Sequence, residues 1–143
     1  MATMNLTQHA ATADQIAAGV FDLPAASRAD LQTLLTFGDL PDEQEIRARA
    51  ERIAGMAVLH ASAEDRADDD GLLPEGDAGG FALRAMIGGA LWLMAPLAAA
   101  LREHGIQPVF AFSVRETEEQ KQADGSVRKV AVFRHAGFVP AVA

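Results

Sequence analysis

Apolar residues switch repeatedly between a spacing near two and a spacing near 3.6, and a cap or breaker brackets each switch. Met4 to His9, with Leu6 among polar neighbours, reads as a short strand. Thr12 with Gln15 three residues on forms a capping-box pattern, so Ala13 to Ala18 is a brief helix stopping at Gly19. Val20 to Leu23 reads as a second strand, ended by Pro24. Ser27 is then expected to cap a helix to about Thr36, with Leu31, Leu34 and Leu35 on its inner face. Pro41, followed by Asp42, Glu43 and Glu45, opens a further helix. Ile46, Ala50, Ile53 and Ala57 carry it at helical spacing to about Ala61.

Ala63 to Gly80 is acidic and glycine-rich, and is expected to form a mobile surface loop. Its Asp68-Asp69-Asp70 run lacks the alternating oxygen ligands of a calcium loop and reads as solvated charge. Phe81 to Ile87 is predicted as a strand, Gly88-Gly89 as a tight turn, and Ala90 to His104 as a helix stopped by Gly105. This helix is apolar nearly all round (Leu91, Trp92, Leu93, Met94, Leu97, Leu101), which predicts burial in the core or in a subunit interface. Pro96 should kink it or mark its true start. Ile106 to Val114 alternates as a strand, Asp124-Gly125 is a hairpin turn signal, and Val127 to Phe133 alternates again. The order is strand, helix, strand, two helices, strand, helix, strand and a closing hairpin. It predicts one α/β domain over residues 1–143, with a mostly parallel sheet and an antiparallel edge.

Composition narrows the function classes. The 143 residues are 50% hydrophobic and 22% charged, ample for a core, and contain no cysteine for a disulfide or thiolate site. Met1 to Thr7 has no basic or apolar run of a secretory signal, so a soluble, cytoplasmic protein is expected. Ala85 to Leu101 has no charged residue. It is nevertheless too short, and too interrupted by Gly88, Gly89 and Pro96, to span a hydrocarbon core of about 30 Å. Net charge is −8, made of −9 in residues 1–100 and +1 in residues 101–143. Such an acidic surface disfavours long nucleic acids. It leaves room for a small anionic ligand held by local cations, best sought in the final third.

Three constellations can carry chemistry. Thr7, Gln8 and His9 end the first strand with Thr12 close behind, where open α/β sheets bind ligands; the plainer alternative is helix capping and loop satisfaction. Ile87-Gly88-Gly89-Ala90 joins a strand to a helix start and would admit a phosphate, though a lone Gly-Gly is also simply a turn. In the terminal hairpin, Arg115 and Glu119 enter and Arg128, Lys129, Arg134 and His135 return. Arg128 and Arg134 share one face there, Lys129, Phe133 and His135 the other. These cations can hold phosphates or merely discourage edge aggregation. His9, His60, His104 and His135 show no metal-pair spacing, and neither a Walker loop nor a nucleophile elbow is present.

The run Pro108 to Arg115, Glu119, Asp124 to Val130, Phe133-Arg134-His135 and Phe138 resembles the end of small CRISPR-associated ring nucleases, relatives of the CRISPR-associated Rossmann-fold (CARF) sensor domains. Leu6 to His9 with Thr12 and Gln15 is similar to that family's first strand and helix, and Gly88-Gly89 to its glycine-bearing loop. The likeness covers about half the chain; Gly137 and Val139-Pro140 depart from a more basic close. The resemblance implies a Rossmann-like, CARF-like fold and a homodimer holding a cyclic oligoadenylate on its two-fold axis. It also implies cleavage by ribose 2′-hydroxyl attack without metal or cofactor. His9, Arg115, Lys129 and His135 are then the catalytic candidates, with His9 or His135 as acid or base and Arg115 and Lys129 facing phosphate. Thr7, Gln8, Thr12, Gly88, Gly89, Ala90, Arg115 and Glu119 are ligand-binding candidates, and Glu119 can instead orient Arg115. Two other readings stay open: a sensor or sponge that binds without cutting, and an interaction protein, host- or prophage-borne, that uses its apolar helix.

Overall fold

A computed structural model describes residues 2–61, 81 and 83–142. The elements follow the expected order: β1 (Thr3–Leu6), α1 (Ala13–Ala17), β2 (Val20–Asp22), α2 (Ala25–Leu35), α3 (Glu43–His60), β3 (Leu83–Ile87), α4 (Leu91–Glu103), β4 (Ile106–Lys121) and β5 (Val127–Pro140). The acidic loop expected over Ala63 to Gly80 lies outside the described residues. The five strands form one mixed sheet in the order β2-β1-β3-β4-β5, with β2, β1, β3 and β4 parallel and β5 antiparallel to β4. From β1 the chain first winds outward to β2 and then returns to β3 on β1's other side, so connectivity reverses between β1 and β3.

The core lies on one sheet face. Met4 and Leu6 of β1, Leu83, Ala85 and Ile87 of β3, and Ile106 of β4 pack there with the inner sides of α2, α3 and α4. The helical residues are Leu31, Leu34, Ala50, Ile53, Leu93, Leu97 and Leu101, which recur at helical spacing. A smaller cluster of Val20, Met86 and Val109, joined by Ala11 and Phe138, occupies the reverse face.

Several boundaries moved for local reasons. β1 ends at Leu6 rather than His9, because the Asn5 side chain captures the Thr7 N–H that a further strand residue would offer the ladder. α2 begins at Ala25 behind Pro24, and Ser27 is not its cap; the Ser27 hydroxyl instead meets His60 Nε2 at 2.7 Å and ties α2 to α3. α4 runs through Pro96, which neither starts nor ends it, and the helix is not buried all round. Leu91 is 87% exposed and Trp92 51% exposed. The expected capping box of Thr12 and Gln15 is present in full on α1; Asp42, expected only as acid at the start of α3, is its N-cap and accepts the Glu45 N–H.

The largest difference is the hairpin. β4 does not stop at Val114, nor β5 at Phe133. Only Ile106 to Val109 pairs with β3, while β4 and β5 pair with each other from Val109–Pro140 out to Lys121–Val127, across an irregularity at Phe112/Ser113. Beyond that irregularity a two-stranded arm continues from Ser113 to Lys121, about 30 Å at strand rise. The charged segment Glu116 to Lys121 is strand because Val127, Val130 and Val132 opposite offer it a partner. Asp124-Gly125 closes the arm, with Gly125 at φ +89° and the Asp124 carboxylate accepting from the Ser126 N–H and hydroxyl.

Candidate functional site

The reversal between β1 and β3 opens a crevice beyond their carboxyl ends, the position where sheets of this construction take ligands. A cleft of about 570 Å³ occupies it. One wall is the segment after β1 (Thr7, Gln8, His9, Ala10, Thr12) with Gln15 of α1, and the other is the end of β3 with Gly88 and Gly89. Phe110 and Ala111, where the β4–β5 arm departs, complete the lining.

The first wall is held by a residue that the hydrophobic pattern hides. Asn5 is 3% exposed inside β1 and uses its full hydrogen-bonding capacity. Its Nδ2 donates to the His9 carbonyl at 2.8 Å and to Asp22 Oδ1 at 2.7 Å, while its Oδ1 accepts from the Thr7 N–H at 2.9 Å and the Thr7 hydroxyl at 2.7 Å. Asp22, at the end of β2, also accepts the Ala11 N–H at 3.0 Å. Two strand-end side chains thus fix both ends of the loop carrying Gln8 and His9. Gln8 is anchored further by donating to the Thr36 hydroxyl at 3.2 Å and accepting on its carbonyl from Gln32 at 3.1 Å. The signal for Asn5 was a polar residue amid buried strand positions, which demands internal partners.

The second wall depends on Gly89, whose φ of +140° is strained for any side chain. It turns the chain from β3 into α4, where Ala90 supplies no capping side chain; the Leu93 N–H donates to the Ala90 carbonyl at 3.0 Å, which leaves the Leu91 and Trp92 N–H groups for an anion. Among the described residues no group of three or more His, Asp or Glu side chains is placed to hold a metal ion.

Thr7, Gln8, His9, Thr12, Gly88 and Gly89 are therefore gathered in one cleft; Ala90 follows Gly89 in the chain but is not part of the lining. The hairpin residues are not with them. Arg115 lies about 13 Å, and Glu119 about 26 Å, along β4 from Ala111, and Lys129 pairs across from Glu119. Glu119 makes no ion pair with Arg115 among the described residues, so the expectation that it orients that side chain finds no contact. Arg134 is engaged by Glu116 and Glu118 at 3.7 and 3.3 Å on its own face. His135 is set apart by its surroundings. Both its ring nitrogens are shut from solvent and unpartnered among the described residues, and its ring packs 4.7 Å from Phe138, so it presents no accessible acid or base.

Residues 1–139 match the model of the uncharacterized protein MJ1673 family. The chain belongs to that family. No curated protein and no solved structure matches it. Among the described residues no helix is long and apolar enough to cross a membrane.

Taken as chemistry, the cleft offers backbone N–H groups and hydroxyl and amide side chains on a rigid frame, with one imidazole, His9, exposed at its mouth. Among the described residues no Lys or Arg lines it.

Proposed function

We propose that this chain is a Rossmann-like, CARF-like domain that binds a cyclic oligoadenylate in the β1/β3 cleft and opens the ring. The observation that carries the reading is the convergence of Thr7 to Thr12 with Gly88-Gly89 at the carboxyl ends of adjacent parallel strands. The resemblance to CRISPR-associated ring nucleases supplies the ligand class and an intracellular setting. A phosphate of the ring meets the free N–H groups where Gly89 leads into α4, and Thr7, Gln8 and Thr12 supply neutral polar contacts. His9 accepts the proton of a ribose 2′-hydroxyl as that oxygen attacks the adjacent phosphorus. The bond from phosphorus to the 5′-oxygen breaks, the 5′-oxygen takes up a proton, and a 2′,3′-cyclic phosphate remains. Positioning of this kind contributes several kcal/mol to such a step.

That no cation lines the cleft among the described residues gives the homodimer its place in the proposal. Arg115 and Lys129 lie too far out on their own arm to reach their own cleft, and a second copy's arm is the source of positive charge. Incubation with cyclic tetra-adenylate and cyclic hexa-adenylate, followed by chromatography, tests the reading: linear products with cyclic-phosphate ends are expected, and intact rings of both sizes at high protein concentration refute cleavage. Arg115→Ala and Lys129→Ala should each lower affinity or rate about tenfold, roughly 1.4 kcal/mol. Unchanged values, or a monomer by light scattering, refute the contribution in trans. The same cation-poor lining favours a second reading, a sensor or sponge that binds without turnover. Thermal stabilisation by the rings with no product identifies it.

A further inference from the structure

Beside the cleft lies a groove of about 410 Å³ between the first turns of α3 and α4, lined by Glu43, Ile46, Arg47, Trp92, Ala95 and Pro96. Its chemistry differs from the cleft's. Trp92 is 51% exposed although it belongs to the most apolar of the described helices. It is also braced: its ring stands edge-on to Phe37 at 5.5 Å, and Phe37 is capped on its face by the Arg49 guanidinium 4.2 Å from the ring centre. Arg49 is itself tied to the carbonyls of Thr33, Leu34 and Thr36 and to Glu45. An indole held this firmly with half its surface in water is a preformed stacking face, because little conformational freedom is lost when a flat ring settles on it.

The polar side of the groove is a single ion pair. Arg47 engages Glu43 Oε1 at 2.8 Å, and Glu43 Oε2 carries no hydrogen bond among the described residues. A carboxylate oxygen accepts an exocyclic amine and repels a carbonyl oxygen. Groove and cleft are joined at two points. The turn from Gly89 into Leu91-Trp92 runs from one to the other, and Thr36, which receives the Gln8 amide, directly precedes Phe37.

We infer that the Trp92 groove is a base subsite, in which an amino-bearing purine stacks on the indole with its exocyclic amine toward Glu43 while the phosphate of the same or the adjacent nucleotide occupies the cleft. This inference rests on the nucleotide reading of the cleft and adds to it the surface that recognises the base. The flat ring is the committed occupant because a braced, half-exposed indole beside one free acceptor matches a heteroaromatic amine.

The chain has one Trp and no Tyr, so its red-edge emission reports Trp92 alone. Titration with adenosine 5′-monophosphate should quench that emission saturably. Ribose 5-phosphate, which has no base, should leave it unchanged, and inosine 5′-monophosphate, with oxygen in place of the amine, should bind several-fold more weakly. By calorimetry, Trp92→Ala should weaken adenosine 5′-monophosphate about tenfold, within the range of one stacked base. Trp92→Phe should restore most of the loss, and Glu43→Gln should narrow the adenine–inosine difference. If adenosine 5′-monophosphate or cyclic tetra-adenylate binds by calorimetry while Trp92 emission and the Trp92→Ala affinity stay unchanged, the subsite is refuted and the cleft reading survives. If the mononucleotide quenches but no ring binds, the subsite stands and the cyclic ligand is wrong. If neither ligand binds, both fall.

Discussion

Replacing Asn5 tests whether the loop bearing Gln8 and His9 is held by the strand beneath it. The Asn5→Ala change deletes four hydrogen bonds at once, all partly buried, and one of them reaches the Asp22 carboxylate. Each neutral bond contributes about 1 kcal/mol net and the charged one about 2, which sums to roughly 5 kcal/mol. The neighbouring cleft is open, and water entering from it can reclaim some of these partners, which brings the expected loss to about 3 kcal/mol. For a chain of this size that corresponds to a melting point lower by roughly 10 °C. Urea unfolding with a coincident thermal scan measures it, and proteolysis within Thr7 to Thr12 should accelerate in parallel. Asn5→Asp separates shape from chemistry: it keeps the outline but loses both donors and sets a second carboxylate against Asp22. The introduced acid would be held above its ordinary range by that neighbour, so the folded state would bind the extra proton and the deficit should shrink as pH is lowered. A loss below about 1 kcal/mol for Asn5→Ala, or an Asn5→Asp deficit that grows in acid, would refute the network as the loop's anchor.

Three further outcomes follow from the same geometry. Gly89→Ala should cost about 1 to 3 kcal/mol and distort the cleft, since φ is +140° while the nearest side-chain atoms stand 3.9 Å away; strain, not crowding, is the cause, and an unchanged unfolding midpoint would contradict it. Thr12→Ala should lose about 1 kcal/mol by removing the α1 capping box, read from the urea midpoint, with no change counting against the cap. The Ser126 hydroxyl and N–H hold the Asp124 carboxyl below its ordinary value of 3.8. A lowered acid stabilises the folded turn above that value and loses its contribution as pH falls through the native one, so carboxyl-detected NMR should place its midpoint under 3.8 and find the arm's tip fraying only in stronger acid. A midpoint at or above 3.8 would refute the turn geometry.

The chain's punctuation carried most of its architecture. Thr12 with Gln15, Asp42, Gly105 and Asp124-Gly125 each act within a few residues, and their effects are legible wherever the sequence is read. So are the element order and the positions of Thr7 to Thr12 and Gly88-Gly89 at strand ends, because alternation and helical spacing are local periodicities. What could not be read is what depends on partners far along the chain. Asn5 and Asp22 look like ordinary polar residues until β1 and β2 lie side by side. Arg115 and Lys129 look adjacent to the site until the 30 Å arm carries them outward. Trp92 looks like core until the first turn of α4 turns it to solvent beside Glu43. Local propensity thus specified the elements and their order. Which side chains met was left to the packing of strands and helices distant in sequence, since only the folded chain brings β1, β2 and the turn into α4 to the same end of the sheet.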